Sequence, residues 1–435
     1  MNDAATTGPT RELALDLYRS AAVILVVIGH WLLSVMTYDD GTFGRDNPLV
    51  LMPWTQWITW FFQVVPVFFA VAGFASAVSW ARFEAEGSAT RQEWLRRRVS
   101  RVLGPTAAYV VLVFIVMAVL FAAGISGSVL ALGGWAVAMH LWFLAVYLMV
   151  VALTPVAVAA HRRWGLAVPA VLAGAVIVVD VIGIATEVPE IRMLNYFFCW
   201  AAIYQLGIAW RDGLLRRGLL LGMAAVAAVA LPMLVTWGPY PIAMIGVPGV
   251  RVENSAPPSV ALLALAAVQI GVLLAITGPV NRFLRRGRWP KVIGVANNNV
   301  MALYLWHMLP VVIVTLVGYP TGLLPQPPTG SGAWWLARLE WELILAVVTV
   351  ALLVLLWWGR AVFAAPVPSF GVPIPESVAT VGLYLGTAAA AVALGRLAAG
   401  GFAPDGQFPV GTAALFLGGL ILVAIRPRSR VKDPA

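Results

Sequence analysis

The sequence has few charged residues: Asp, Glu, Lys and Arg make up 11% of the 435 residues, whereas 61% are hydrophobic. A soluble domain carries about 25% charged residues, so the composition excludes an ordinary soluble protein. Apolar runs of about 20 residues recur along the chain, which is the length that an α-helix needs to cross a bilayer. Strands of a membrane barrel would alternate apolar and polar residues instead. The sequence therefore predicts an all-α polytopic membrane protein.

Cysteine and histidine are scarce. Cys199 is the only cysteine, which excludes an intramolecular disulfide and a metal site built from several cysteines. We expect no bound metal and no permanently bound cofactor. No internal repeat is visible either, which weighs against a transporter built from repeated halves. The four histidines are His30, His140, His161 and His307.

The apolar runs predict about twelve transmembrane helices, and the connections between them alternate in charge. Basic residues collect on one side, which the positive-inside rule assigns to the cytoplasm. An even helix count places both termini there, and the net charge of +9 then needs no nucleic-acid partner. The basic connections are 81–101, 161–165, 211–218, 281–291, the segment around Arg360, and the tail from Arg426. The predicted helices are 16–37, 57–80, 103–124, 136–159, 166–184, 194–210, 219–237, 259–277, 296–317, 338–358, 378–398 and 410–426.

The first helix carries an arginine and a histidine on one face. Arg19 and His30 are eleven residues apart, which is within about 20° of three full turns and about 16 Å along the axis. Asp16 is three residues before Arg19 and can pair with it. His30 would then lie deep in the outer half of the membrane. An ionisable residue at that depth normally faces a cavity and is functional, although an inert, hydrogen-bonded interfacial histidine is the alternative.

Two further groups are candidates for binding. Gln63 and Pro66 fall at a similar depth to His30, where Gln63 contacts substrate or only joins helices, and Pro66 is expected to kink its helix. Arg98 and Arg101 share a face at the expected start of the third helix. Guanidinium groups at a helix N-terminus suit phosphate, whereas simple membrane anchoring is the alternative.

The sequence resembles acyltransferase family 3, a family of membrane O-acyltransferases, because several of its motifs match those of the family in the same order along the chain. The resemblance covers residues 11 to about 310. It rests on Arg19-x10-His30, VPVFFAVAGF (65–74), Arg98-x-x-Arg101, HLWFL (140–144) and YLWH (304–307).

The chain departs from the family pattern in two places. The serine of the family's SGF motif is Ala72 here, so this position supplies no hydroxyl. The family core has about ten helices, whereas this sequence predicts two more. We therefore divide the chain into an acyltransferase core, 1–358, and a C-terminal helix pair with a basic tail, 359–435, expected to have no catalytic part.

The resemblance implies transfer of an acyl group, commonly acetyl, from cytoplasmic acyl-CoA to a hydroxyl of a glycan, a glycolipid or a secreted metabolite. It places the protein in a bacterial-type cytoplasmic membrane, in contact with membrane lipids. His30 would act as general base or form an acyl-histidine, and Asp16 would support Arg19. The phosphates of CoA would bind Arg98 and Arg101, with Arg19. Substrate contacts are expected from Gln63, His140, Trp142, Tyr304 and His307.

Two other functions remain open from the residues. A transporter or exporter of a small molecule or lipid-linked glycan would line its pathway with intramembrane histidine and glutamine. A non-catalytic scaffold or sensor would not need His30.

Overall fold

The computed structural model describes residues 12–87 and 91–428, and most of this part of the chain is α-helical. The end of the predicted basic tail, 429–435, lies outside the described residues. The helices are α1 (Leu13–Leu33), α2 (Pro48–Leu51), α3 (Thr59–Phe62), α4 (Val65–Glu86), α5 (Arg91–Ala122), α6 (Gly127–Ala136), α7 (Trp142–Ala152), α8 (Thr154–Trp164), α9 (Ala167–Ala185), α10 (Pro189–Arg192), α11 (Asn195–Arg211), α12 (Arg217–Thr236), α13 (Val260–Ala275), α14 (Thr277–Leu284), α15 (Trp289–Trp306), α16 (Met308–Gly318), α17 (Gly332–Trp358), α18 (Arg360–Phe363), α19 (Glu376–Gly400) and α20 (Val410–Ala424).

Short elements complete the secondary structure. Strands β1 (Val35–Asp39) and β2 (Thr42–Asp46) form an antiparallel hairpin, and β3 (Phe370–Val372) pairs in parallel with β4 (Ile425–Pro427). Three 3-10 turns lie at Pro53–Ile58, Met139–Leu141 and Pro404–Gly406.

The helices make this a multi-pass membrane protein. Among the described residues, eight helices are long and apolar enough to cross a bilayer, or ten if each of two bent pairs counts as one span. Every predicted helix overlaps a helix of the structure, but the count of twelve spans is not confirmed. The shortfall has a physical reason, because α11 has 17 residues and α20 has 15, fewer than the roughly 20 that span a bilayer.

The first helix ends at Leu33, four residues before the predicted end, because a hairpin follows it. Asp40 and Gly41 form its turn, with φ values of 44° and 82°. Both residues of a type I′ turn need positive φ, and Asp-Gly is a strong signal for it. The sequence therefore contained this signal, although a plain loop was predicted there.

Two predicted helices are broken where candidate site residues lie. The second breaks at Gln63, and α4 starts at Val65 with Pro66 in its first turn, where proline is tolerated. The interruption lies in the turn before Pro66, where the missing N–H of proline removes a helical hydrogen bond. The helix pair α15 and α16 bends by 51° at His307, which was predicted mid-helix. Pro310 explains this bend, because it lacks the N–H that would bond to the carbonyl of Trp306.

Close helix packing holds the centre of the bundle. On α4, a Cβ at Gly73 would lie 2.0 Å from the carbonyl oxygen of Tyr204, and on α11 one at Gly207 would lie 1.9 Å from that of Ala70. Only glycine permits this approach, and small residues drive helix association in membranes. Helix α1 packs against α4 on one side and α15 on the other, so its histidine faces the interior of the bundle.

The C-terminal pair is joined to the core rather than lying apart from it. Helix α19 packs against α20, α7 and the 3-10 turn that carries His140. The backbone N–H of Phe402 donates to the carbonyl of Gly134 at 3.2 Å. On the opposite side of the bundle, Arg96 donates to the carbonyls of Val423 and Ile425, both at 2.6 Å.

Candidate functional site

A cavity of about 670 Å³ lies among α1, α4, α6, α7 and α15. Its lining on α1 runs from Ala22 to Leu33, about 16 Å at 1.5 Å per residue. One end is lined by the β1–β2 hairpin and by the loop between α12 and α13, and we call this the hairpin end. Cavities of about 300–1,000 Å³ accommodate small-molecule ligands.

His30 lies in the last turn of α1 and lines this cavity. Its Nδ1 lies 2.9 Å from Nε2 of His307, and the two rings stack. His307 is fully buried, and its own Nδ1 lies 2.7 Å from the carbonyl oxygen of Tyr304. The structure therefore brings together three residues predicted for the site.

The hydrogen-bond network assigns the protons of this pair. A carbonyl oxygen only accepts, so Nδ1 of His307 carries the proton that it donates to Tyr304. In a neutral imidazole the other nitrogen is then an acceptor, so Nδ1–H of His30 donates to Nε2 of His307. Nε2 of His30 is consequently left without a proton and free to act as a base.

A further contact fixes α1 on the bend beside His307. The indole Nε1 of Trp31 donates to the carbonyl oxygen of His307 at 2.8 Å. A carbonyl oxygen has two lone pairs, so this one can accept from a side chain at the bend. Trp31, which follows His30 on α1, thus binds the backbone of His307, on which the His30–His307 pair depends.

His140 lies in the 3-10 turn between α6 and α7, is 1% exposed and lines the cavity. Its ring packs against those of His307 and Tyr304, with centroids 4.9 and 5.2 Å away. The hydroxyl of Tyr304 donates to the carbonyl oxygen of His140. Three histidines predicted separately from the sequence therefore form one cluster at the cavity.

Gln63 and Trp142 also line the cavity, as do Tyr304 and His140. Nε2 of Gln63 donates to the carbonyl of Met244 at 3.0 Å, so this side chain joins a helix break to the loop between α12 and α13. Its position at the cavity permits a substrate contact, and both interpretations of Gln63 stay predictions.

Arg19 lies away from the cavity lining. Its guanidinium donates to Asp16 and to Asn297, each at 3.3 Å, and Asn297 also accepts from Ser20 at 2.6 Å. Asn297 lies inside α15, which begins at Trp289. Arg19 nevertheless lies one turn below Ala22, where the cavity begins on α1.

The predicted phosphate-binding arginines lie inside α5, which starts at Arg91 rather than near 103. The expected support from a helix N-terminus is therefore wrong. Arg98 is half-buried and donates to Ser76 at 3.1 Å. Arg101 is exposed, with no hydrogen bond or ion pair to the rest of the described chain. Neither residue lines the cavity that contains His30.

Sequence reasoning missed Arg45 and Glu253, which line the hairpin end together with Asp46, and Ala398, which lies on α19. Burial raises the pKa of Glu253, opposed by the nearby Arg192. These positions carry no motif; the Asp-Gly turn that places Arg45 and Asp46 was their only signal. Over the described ranges, no three His, Cys, Asp or Glu side chains are grouped as metal ligands.

Comparison with known proteins identifies the family. The acyltransferase family 3 model, described as an acyltransferase domain, matches residues 12–358. No curated protein and no solved structure matches the chain. The matched range covers most of the chain and carries the motifs of the cavity and of α5. The chain therefore belongs to acyltransferase family 3.

Proposed function

We propose that this membrane acyltransferase transfers an acyl group, acetyl in the first instance, from acyl-CoA to a hydroxyl of a glycan, a glycolipid or a secreted metabolite. One observation carries the proposal: Nδ1 of His30 donates to His307 at 2.9 Å, which leaves Nε2 of His30 as an acceptor beside the cavity. A base must have its lone pair available and its ring held in place, and this pair satisfies both requirements.

His30 removes the proton of the acceptor hydroxyl as its oxygen attacks the thioester, a role that contributes about 10²–10⁴-fold. His307 is a positioning residue, because it touches His30 and not the substrate. When His30 becomes protonated, its Nδ1–H donates to His307 from a charged ring, and such hydrogen bonds contribute about 1.5–3 kcal/mol. An acyl-histidine on the same Nε2 is the rival scheme, and labelling of the protein by acetyl-CoA that neutral hydroxylamine rapidly releases would reveal it.

The acyl-CoA donor binds on the side of the bundle where Arg98 and Arg101 lie. Arg98 and Arg101 offer guanidinium groups, which match phosphate oxygens in pairs. The cavity begins one turn above Arg19 and follows α1 to His30, so the extended arm of CoA would follow this helix. We propose that this side is cytoplasmic, as the positive-inside rule predicts, with both termini there, in a bacterial-type plasma membrane.

The acceptor enters at the hairpin end. Arg45, Asp46 and Glu253 supply polar groups there, and a hydroxyl-rich acceptor needs several hydrogen-bond partners. Deeper in the cavity, Gln63 and Trp142 are positioned to contact the substrate.

The test is acetyl transfer by membranes that contain the full chain, supplied with acetyl-CoA labelled in the acetyl group. We expect release of free CoA and label in a product that mild alkali cleaves, as an ester would be. Membranes without the protein are the control. Exchange of a labelled solute across vesicles without CoA, with no acetyl transfer, would instead support the transporter.

A further inference from the structure

His140 is a buried polar side chain that lacks a hydrogen-bond partner. It is 1% exposed, and neither ring nitrogen makes a hydrogen bond of normal geometry among the described residues, although the backbone of Leu305 lies close to the imidazole. Buried polar groups are normally hydrogen-bonded, and an unsatisfied one costs about 1–3 kcal/mol. Because His140 lines the cavity, a bound substrate is the partner within its reach.

The position of this ring is fixed before any substrate arrives. The Tyr304 hydroxyl donates a hydrogen bond to the carbonyl of His140, and the Tyr109 hydroxyl donates one to the carbonyl of Val137 nearby. The rings of His307 and Tyr304 pack against the imidazole. None of these contacts uses its nitrogens. Donors held rigidly in this way stabilise a developing charge with little reorganisation.

The other two histidines already have assigned protons. His307 uses Nδ1–H on Tyr304 and its Nε2 lone pair on His30, so neither of its nitrogens is available to a substrate. His30 presents only a lone pair to the cavity. A neutral imidazole carries one N–H, and in this cluster the N–H of His140 is the one that makes no hydrogen bond of normal geometry.

Resting on the proposed function, we infer that His140 is a second catalytic residue, whose N–H donates a hydrogen bond to the carbonyl oxygen of the thioester. The acceptor oxygen forms a bond to the carbonyl carbon while His30 takes its proton. The carbonyl electron pair moves onto the oxygen beside His140. Collapse restores the carbonyl and breaks the C–S bond, and the CoA thiolate takes the proton back from His30. An ester and free CoA result.

The inference is tested with the full chain in membranes and labelled acetyl-CoA. His140→Phe keeps a flat ring but removes the donor, whereas His140→Gln keeps an N–H. His161→Gln is the matched control, because His161 is an equally buried histidine that pairs with Asp212 at 3.4 Å outside the cavity. We expect His140→Phe to lower kcat by about 10²–10³-fold, as for a lost oxyanion donor, with KM for acetyl-CoA little changed. His140→Gln should recover part of kcat, and His161→Gln should match the wild type.

Three results would overturn the assignment. Wild-type kcat in His140→Phe would show that the donor is not needed. A raised KM with unchanged kcat would show that His140 binds the ground state and the transition state equally. An equal loss of kcat in His140→Phe and His140→Gln, together with a shifted pH profile of kcat, would show that His140 acts by positioning His307. Each variant is first compared with the wild type in thermal unfolding, and His140→Gln decides if His140→Phe does not fold.

The failure of this inference differs from failure of the proposed function. If the wild type transfers no acetyl group, the proposed function is wrong. If the wild type is active, His30→Ala is inactive and His140→Phe is unchanged, only the role of His140 is wrong.

Discussion

Nδ1 of His30 lies 2.9 Å from Nε2 of His307, although 277 positions separate the two residues in the chain. The bend between α15 and α16 makes this pairing possible, since it places His307 between two helix axes that differ by 51°. Trp31 on α1 donates a hydrogen bond to the backbone of the same bend. His30 is therefore oriented by His307, which lies at a bend where the sequence predicted one continuous helix.

Replacing His307 by alanine should lower kcat by about 10- to 100-fold. The reason is the loss of a hydrogen bond to the charged form of His30, about 1.5–3 kcal/mol, where 1.36 kcal/mol corresponds to tenfold. Initial rates of acetyl transfer measure it. His307→Gln, which can still accept from His30, should lose less. Equal rates for wild type and His307→Ala would show that His30 needs no orientation from this residue.

Arg98→Ala should raise KM for acetyl-CoA by about tenfold or more, because a charge-assisted hydrogen bond contributes about 1.5–3 kcal/mol. The matched control is Arg97→Ala, since Arg97 is exposed on the same turn and pairs with Glu93. Titration of acetyl-CoA at fixed membrane protein gives KM for each variant. The same increase in both variants would mean that the surface charge of α5, and not Arg98, attracts the donor.

Gly401→Ala should destabilise the protein and reduce acetyl transfer. Gly401 has a φ of +80°, and a Cβ there would lie 2.7 Å from the backbone nitrogen of Trp135, which lines the cavity. With a ψ of −175° this backbone conformation is essentially restricted to glycine, and it costs another residue about 1–3 kcal/mol. Thermal unfolding in detergent measures the loss.

Gly395→Ala is the control for that substitution. Gly395 lies inside α19 with open space around it, so alanine should stabilise the helix by about 0.5–1 kcal/mol. If both variants behaved alike, the C-terminal segment would not support the wall of the cavity.

Glu253→Gln should stabilise the protein at neutral pH and have little effect in acid. Burial raises the pKa of Glu253 above 4.5, so the folded state prefers the protonated carboxyl. The associated stability is present below pH 4.5 and is lost as the pH rises through the raised pKa. The unfolding temperature of Glu253→Gln should exceed that of the wild type by an amount that grows as the pH rises from 4 to 7.5. A constant difference across this range would contradict the assignment.

Local patterns predicted the helices well, because apolar runs and helical spacing are short-range properties. Local signals were also present for two features that were missed. Asp40-Gly41 specifies a hairpin turn, and Pro310 specifies a break one turn earlier. The break before Pro310 was hidden by apolar neighbours that continue the helical pattern.

The rest of the site depends on long-range packing that spacing does not encode. The pairing of His30 with His307 and the contact of Arg19 with Asn297 each join α1 to α15. The C-terminal helices were expected to have no catalytic part, and that expectation stays untested. Ala398 nevertheless lines the cavity, so the segment beyond the family domain contributes to its wall.

The most direct test of the account is the rate of acetyl transfer by His30→Ala, compared with His161→Ala at equal amounts of folded protein in the membrane. The base role predicts a fall of about 10²–10⁴-fold for His30→Ala and a wild-type rate for His161→Ala. A wild-type rate in His30→Ala would contradict the account.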